Sequence, residues 1–226
     1  MISSLQNQMI KDLMRLHQSK YRKQASLFLV EGPHLVEEAH QAGWLQSVLS
    51  TEETSYPDTI LVASHIIEKL STTDTPQHII GVCRPQEIKS KGQHILVLYP
   101  SDPGNIGALL RSALAFGIDR VAVASGVDVF NPKVIRASAG AVFHIEFLGG
   151  DVRTISKRNP DHQVIKATLK GMTAKPVSEP FILVIGHESA GITFDVPGVD
   201  MTIPTTGVES LNAAVAGSIL MYQLTR

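Results

Sequence analysis

A mixed α/β protein in two parts is what this sequence predicts, and three features predict it. Short apolar runs alternate with amphipathic segments along all 226 residues, the arrangement that packs helices against a sheet. A polar stretch, QEIKSKGQ at 86–93, interrupts the alternation and divides a domain at 1–87 from a second at 92–226. Beyond it, HILVLYP and RVAVASG are apolar enough for the central strands of a parallel sheet, covered on both faces.

The first element is an amphipathic helix, because Leu5, Met9, Leu13 and Leu16 recur at helical spacing with Lys11 and Arg15 off that stripe. LFLVEG is a strand that stops at Gly32. Pro33 then opens the helix PHLVEEAHQAG, at a position where its missing N–H costs little. LQSVLST and TILVA are strands, SHIIEKLS is a helix and HIIGVCR a closing strand, giving a small sheet flanked by helices. In the second domain a helix from Asn105 to Gly117 separates the two apolar strands. NPKVIRASAGAVF is a further helix with Pro132 near its start, and HIEFLGG, HQVIKATL, PFILVIG and DMTIP add strands. The last helix lies in SLNAAVAGSILMYQLTR, where only Asn212 and Ser218 are polar from Leu211 to Met221. A helix apolar nearly all round needs cover on more than one side, and a second subunit is the expected cover.

Composition narrows the function. Nothing approaches the run of about 18 apolar residues that spans a membrane, and MISSLQNQMI lacks the charged start and apolar stretch of a signal peptide. The single Cys83 has no partner for a disulfide, which fits a reducing cytoplasm. Net charge is −1, yet residues 11–23 hold Lys11, Arg15, Lys20, Arg22 and Lys23 against Asp12 alone, a local +4. That strip suits phosphate contact, though a solvated helix face has the same composition.

Three glycine-rich turns follow strands in the second domain: DPGNIGALLR, VIGHESAGI and IPTTGVESLN. Loops at the carboxyl ends of strands build the ligand crevice of open α/β sheets, so one composite site is expected. Neither a dinucleotide fingerprint nor a P-loop occurs. No metal-ligand cluster is visible, since the nine histidines are scattered. Asn105 and Ser210 each also have a purely structural reading, as caps of the helices they precede.

Together these turns resemble the motifs of the SpoU (TrmH-like) family of RNA ribose 2′-O-methyltransferases, of the SPOUT class. The first is similar to DPGNIGALLRSALAFGID, with FNPKVIRASAGAVFH as its downstream companion; the second to VIGHESAGI and the third to IPTTGVESLNAAVAGSILMYQ. FLVEGPHLVEEA and LSTTDTPQHIIGV resemble the family's ribosomal-protein-like RNA-binding domain. The resemblance implies S-adenosyl-L-methionine as cofactor and a carboxyl-terminal trefoil knot, where alternation alone predicts an ordinary doubly wound sheet. It further implies a homodimer, no metal, and RNA as partner: ribosomal RNA is favoured, with transfer RNA or a silent RNA-binding module as alternatives. By motif position, Asn105, Arg111, Glu188, Ser210 and Asn212 are the catalytic set. Gly186, Gly191, Ile203 and Leu211 would hold the cofactor, and Lys20, Arg22, Lys23 and Arg136 the RNA. The chain departs from the family pattern at YPSDPGN and in a shortened third motif, which puts Tyr99 and Thr205 forward as altering cofactor packing. Family schemes often make the first-motif arginine a general base. Deprotonating a guanidinium near neutral pH costs roughly 8 kcal/mol, so Arg111 is expected to act as a cation.

Overall fold

Each alternation folds onto its own sheet. The computed structural model describes Met1–Arg226. The chain divides into two units, Met1–Glu87 with Phe130–Phe143, and Ile88–Val129 with His144–Arg226.

The first unit contains α1 (Gln8–Arg15), α2 (Ser19–Ala25), β1 (Phe28–Glu31), α3 (Pro33–Gln41), β2 (Leu45–Ser50), β3 (Thr59–Leu61), α4 (Ser64–Leu70) and β4 (Ile79–Cys83). Its sheet runs β1-β4-β2-β3, with β4 antiparallel to β1 and β2, and β3 parallel to β2. The predicted stripe of α1 is buried through Leu13 and Leu16, joined by Ile10, and packs with Ile66, Ile67 and Leu70 of α4. Asn7 caps α1 by accepting from the Met9 N–H at 3.0 Å. Periodicity missed α2 because it has no apolar face: its one buried residue is Arg22.

The helix expected over NPKVIRASAGAVF is shorter. α6 (Pro132–Ser138) ends where Ala139 and Gly140 turn left-handed, at φ +47° and +93°. A single 3-10 turn, Ala141–His144, follows. Residues 130–143 were expected in the second domain, and their contacts put them in the first unit. The cause is aromatic burial: Phe130 stacks on Phe28 with centroids 4.6 Å apart, and Phe143 meets Trp44 edge-on at 5.5 Å.

The second unit contains β5 (Ile95–Leu98), α5 (Pro103–Ala115), β6 (Arg120–Val123), β7 (Glu146–Phe147), α7 (Val152–Arg158), β8 (Gln163–Thr173), β9 (Phe181–Ile185), β10 (Val199–Thr202) and α8 (Ala213–Thr225). The six strands form one parallel sheet, ordered β10-β8-β9-β5-β6-β7. β5 and β9, the two most apolar runs, are buried throughout, and each such side chain contributes about 1.5–3 kcal/mol by leaving water. Strand order reverses between β9 and β5, whose carboxyl ends are level, with Leu98 opposite Ile185. Such a switch point opens a crevice above the sheet. No helix is long and apolar enough to cross a membrane.

Candidate active site

The crevice is assembled from two loop-to-helix junctions and the loop that follows β9. α5 begins at Pro103, two residues earlier than expected, and its cap is Asp102, whose carboxylate accepts from the Asn105 N–H at 3.0 Å. The capping role open to Asn105 is therefore filled by a neighbour, and the Asn105 side chain is left to reach outward. α8 likewise begins at Ala213, capped not by Ser210 but by Asn212, whose Oδ1 accepts from Ala214 and Val215 N–H at 2.8 and 3.3 Å.

These two helices meet the loop after β9 through one directional chain of hydrogen bonds. Asn212 Nδ2 donates to Asn105 Oδ1 at 3.1 Å, and Asn105 Nδ2 donates to Glu188 Oε1 at 3.0 Å. The ends fix the direction. An ionised carboxylate only accepts and helix N–H groups only donate, so each amide between them has one orientation. Glu188 also accepts from the main-chain N–H groups of Ser101 at 3.1 Å and Asp102 at 3.2 Å. Partial burial pushes its carboxyl up, but the bonds from Asn105, Ser101 and Asp102 outweigh that and hold it at about 2. Glu188 is thus a weak base with its lone pairs occupied; it is suited to positioning rather than proton abstraction.

Beside this chain lies a cavity of about 490 Å3, within the size range of small-molecule sites. All four residues expected to hold the cofactor, Gly186, Gly191, Ile203 and Leu211, line it, with Glu188, Ser210 and Thr205. The glycines are required by the turn. A Cβ on Gly186 would stand 2.5 Å from the Gly191 carbonyl carbon, and Gly191 has φ +64°. His187 and Gly191 exchange N–H···O bonds of 2.9 Å across the loop. At these two glycines the cavity wall is bare main chain.

Other expectations separate. Arg111 is exposed and makes no hydrogen bond or ion pair within the chain. Six residues turn a helix by roughly 240° beyond a full turn count, leaving Arg111 about 120° around α5 from Asn105; the residue that shares Asn105's face is Ser112, bonded to Ser218 of α8 at 2.7 Å. Tyr99 does not reach the cavity: its ring packs on Phe194 at 4.6 Å and its hydroxyl accepts from the Val152 N–H at 3.2 Å. Arg22, expected at the RNA surface, is 5% exposed, because its guanidinium donates to the otherwise unpaired carbonyls ending α1. Arg136 is engaged as well, donating to Thr72 Oγ1 and lying 3.5 Å from Glu31. Lys20 and Lys23 are exposed. Sequence reading missed the strand residues Thr168 and Leu169, in the middle of β8, and Met201, near the carboxyl end of β10, which also line the cavity; only for Met201 was a strand-end position the available signal. No group of three or more His, Cys, Asp or Glu side chains is placed to hold a metal ion.

This geometry has counterparts. Residues 93–222 match the SpoU rRNA Methylase family, and residues 7–81 the MRM3-like substrate binding domain. The chain is 33% identical to the 23S rRNA (guanosine(2553)-2′-O)-methyltransferase RlmP of Bacillus subtilis, over 99% of this chain and 98% of that one. It superposes on a crystal structure of an RNA 2′-O ribose methyltransferase with a TM-score of 0.80 and 30% identity, covering 98% of this chain and 96% of that one. An AdoMet-bound rRNA methyltransferase from Sinorhizobium meliloti gives 0.82 and 25% identity, covering 98% and 95%. Both the motif-bearing unit and the full-length alignment lead to one assignment: this chain belongs to the SpoU rRNA methylase family.

Proposed function

We propose that this protein transfers a methyl group from S-adenosyl-L-methionine to a ribose 2′-hydroxyl of ribosomal RNA. The observation that carries the reading is the convergence of Asn105, Glu188 and Asn212 on one bond chain whose end, Glu188, lines the cavity. Relatives named as ribosomal RNA 2′-O-methyltransferases, and one solved with AdoMet, support it.

The cavity residues fit that cofactor. Main chain at Gly186 and Gly191 allows close approach, and Leu169, Ile203 and Leu211 offer apolar cover for a heteroaromatic ring. When bound, the cofactor supplies a methyl group activated by a sulfonium. Glu188, held ionised, would give the cavity wall a negative charge complementary to a cationic group bound there. Asn105 and Asn212 hold the carboxylate in place, and Ser210 orients the ribose. Arg111 stays a guanidinium: it grips the nucleotide phosphate and stabilises the alkoxide as the 2′-hydroxyl gives up its proton to solvent water.

Two further features belong to this reading. The carboxyl-terminal segment, β10 through α8, threads a trefoil knot that shapes the cavity. A homodimer forms over α8, whose Val215 and Tyr222 are 48% and 53% exposed, and Arg111 works at that subunit boundary. The protein acts where ribosomes are made and thiols stay reduced, the cytoplasm.

Incubating the protein with methyl-labelled S-adenosyl-L-methionine and ribosomal or transfer RNA tests the activity. Label in ribosomal RNA, mapped to one 2′-O position, is expected. Label in transfer RNA alone would move the substrate, and calorimetry without cofactor binding would end the proposal. Sedimentation at equilibrium tests the dimer, for which a monomer mass is the contrary result.

A further inference from the structure

α2 is an unusual helix to find ordered. Ser19–Ala25 buries no apolar side chain, and a helix polar all round has nothing to dock with. Arg22 docks it instead. Its guanidinium donates to the Leu16 and His17 carbonyls at 2.7 and 2.9 Å, bolting α2 across the end of α1. The bolt fixes Tyr21 next to two exposed cations. The Arg15 guanidinium carbon lies 5.7 Å from the ring centre and Lys20 Nζ 5.8 Å. Both distances are near the outer limit of about 6 Å for cation–π attraction, so the ring itself holds neither cation tightly, although Arg15 also donates to Asp12. Lys11 and Lys23 add exposed positive charge on the same two helices, and Asp12, 3.1 Å from Arg15, is their one acid.

We infer that Tyr21, with Arg15 and Lys20, is a binding site for an unpaired RNA nucleotide. The phenol ring takes the base by stacking, and the two cations swing from the ring to the flanking phosphates. A stacking platform beside positive charge is the common device for single-stranded nucleic acid, tolerant of sequence because every base has a π-face. A paired duplex hides those faces and offers its backbone and groove edges instead. The site therefore selects loops, bulges or opened strands. The inference rests on the reading that the chain acts on RNA, and it specifies the form that the RNA takes at α1 and α2.

Fluorescence anisotropy of the full-length protein with labelled oligouridine and with a blunt RNA duplex tests it. Tyr21→Ala is expected to weaken oligouridine binding about 5- to 100-fold, with duplex affinity nearly unchanged. Tyr21→Phe should restore wild-type affinity, since the ring and not the hydroxyl does the stacking. Lys20→Gln should flatten the dependence of log K on log salt by about 0.7, the signature of one lost phosphate contact to a single strand, and Tyr21→Ala should leave that slope alone. Thermal melting checks the fold, and Tyr21→Leu, which keeps apolar bulk, replaces the alanine variant if that one unfolds. Equal loss on both RNAs, no loss on either, or failure of Tyr21→Phe to rescue would overturn the site. Wild-type protein that binds oligouridine through Tyr21 yet transfers no methyl group would overturn the proposed function and leave this site standing. Transfer with Tyr21-independent binding would do the reverse.

Discussion

Glu31 and Glu188 are built alike and finished differently. Each carboxylate is pinned near a strand end by main-chain and hydroxyl donors. Glu31 accepts from Ser71 Oγ at 2.6 Å, Thr72 N at 3.0 Å and Thr72 Oγ1 at 2.5 Å. Glu188 accepts from Ser101 N, Asp102 N and Asn105 Nδ2 at 3.0–3.2 Å. The difference is the cation. Arg136 stands 3.5 Å from Glu31, whereas the nearest ionisable partner of Glu188 is His187, at 3.9 Å. A carboxylate closed by its own arginine serves the fold. One that is ordered, ionised and given no arginine faces the neighbouring cavity with its charge uncancelled. The same contrast separates the arginines: Arg136 is spent on Glu31, and Arg111 has no partner in the chain.

The sharpest way to break this contrast is to remove Arg111. Nothing in the chain leans on its guanidinium, so Arg111→Ala should leave the melting temperature unchanged while methyl transfer falls about 100- to 1,000-fold, the usual cost of one donor to a developing oxyanion. Arg111→Lys then separates roles. Activity regained at high pH would mark a base, and loss at every pH with RNA affinity intact marks the guanidinium fork. Asn105→Asp comes next in size. It removes the donor to Glu188 and sets two carboxylates together, for a loss of about 2–3 kcal/mol in stability, or roughly 4–12 °C by calorimetry for a chain of this size. An unchanged melting curve would mean that the bond chain does not hold the loops together.

Most of the fold was legible because apolar runs dictate it. HILVLYP and PFILVIG could hardly be anything but buried strands, and β5 and β9 are buried throughout. The site was legible as a set of loops, since glycine turns after strands announce main chain at a ligand. What sequence could not yield was direction around a helix combined with partner choice. Asn105 and Arg111 lie on one short helix, yet only the first points at α8. Arg22 reads as surface charge beside Lys20 and Lys23, and only the unpaired carbonyls ending α1 explain why it is buried. Phe130 and Phe143 bracket a segment that follows its aromatic rings rather than its neighbours in sequence. Tertiary demand decided each of these, and local pattern carries no record of it.

Arg136→Ala tests the other half of the contrast. Glu31 is 11% exposed at its side chain, so losing its cation should cost about 1–2 kcal/mol. Oligouridine affinity and methyl transfer should stay near wild type. Weakened RNA binding at unchanged stability would return Arg136 to the RNA surface where the sequence put it.

The smallest effect is the pH dependence of Glu188. Its carboxyl is held at about 2, below the ordinary range, so the folded state prefers the ionised form. The stabilisation is complete above the ordinary carboxylate range near about 4.3, and it fades as pH falls toward about 2. Because the group is partly exposed, screening limits the contribution to about 1 kcal/mol or less. Glu188→Gln isolates it. Glutamine offers one acceptor oxygen, which can face the Asn105 amide, but its Nε2 then meets the Ser101 N–H donor to donor. At neutral pH the variant should melt below wild type. On acidification the two curves should converge, since protonated Glu188 carries a hydroxyl donor of its own against that same N–H. Curves that stay parallel from neutral to acidic pH would show that the carboxylate charge does not order these loops.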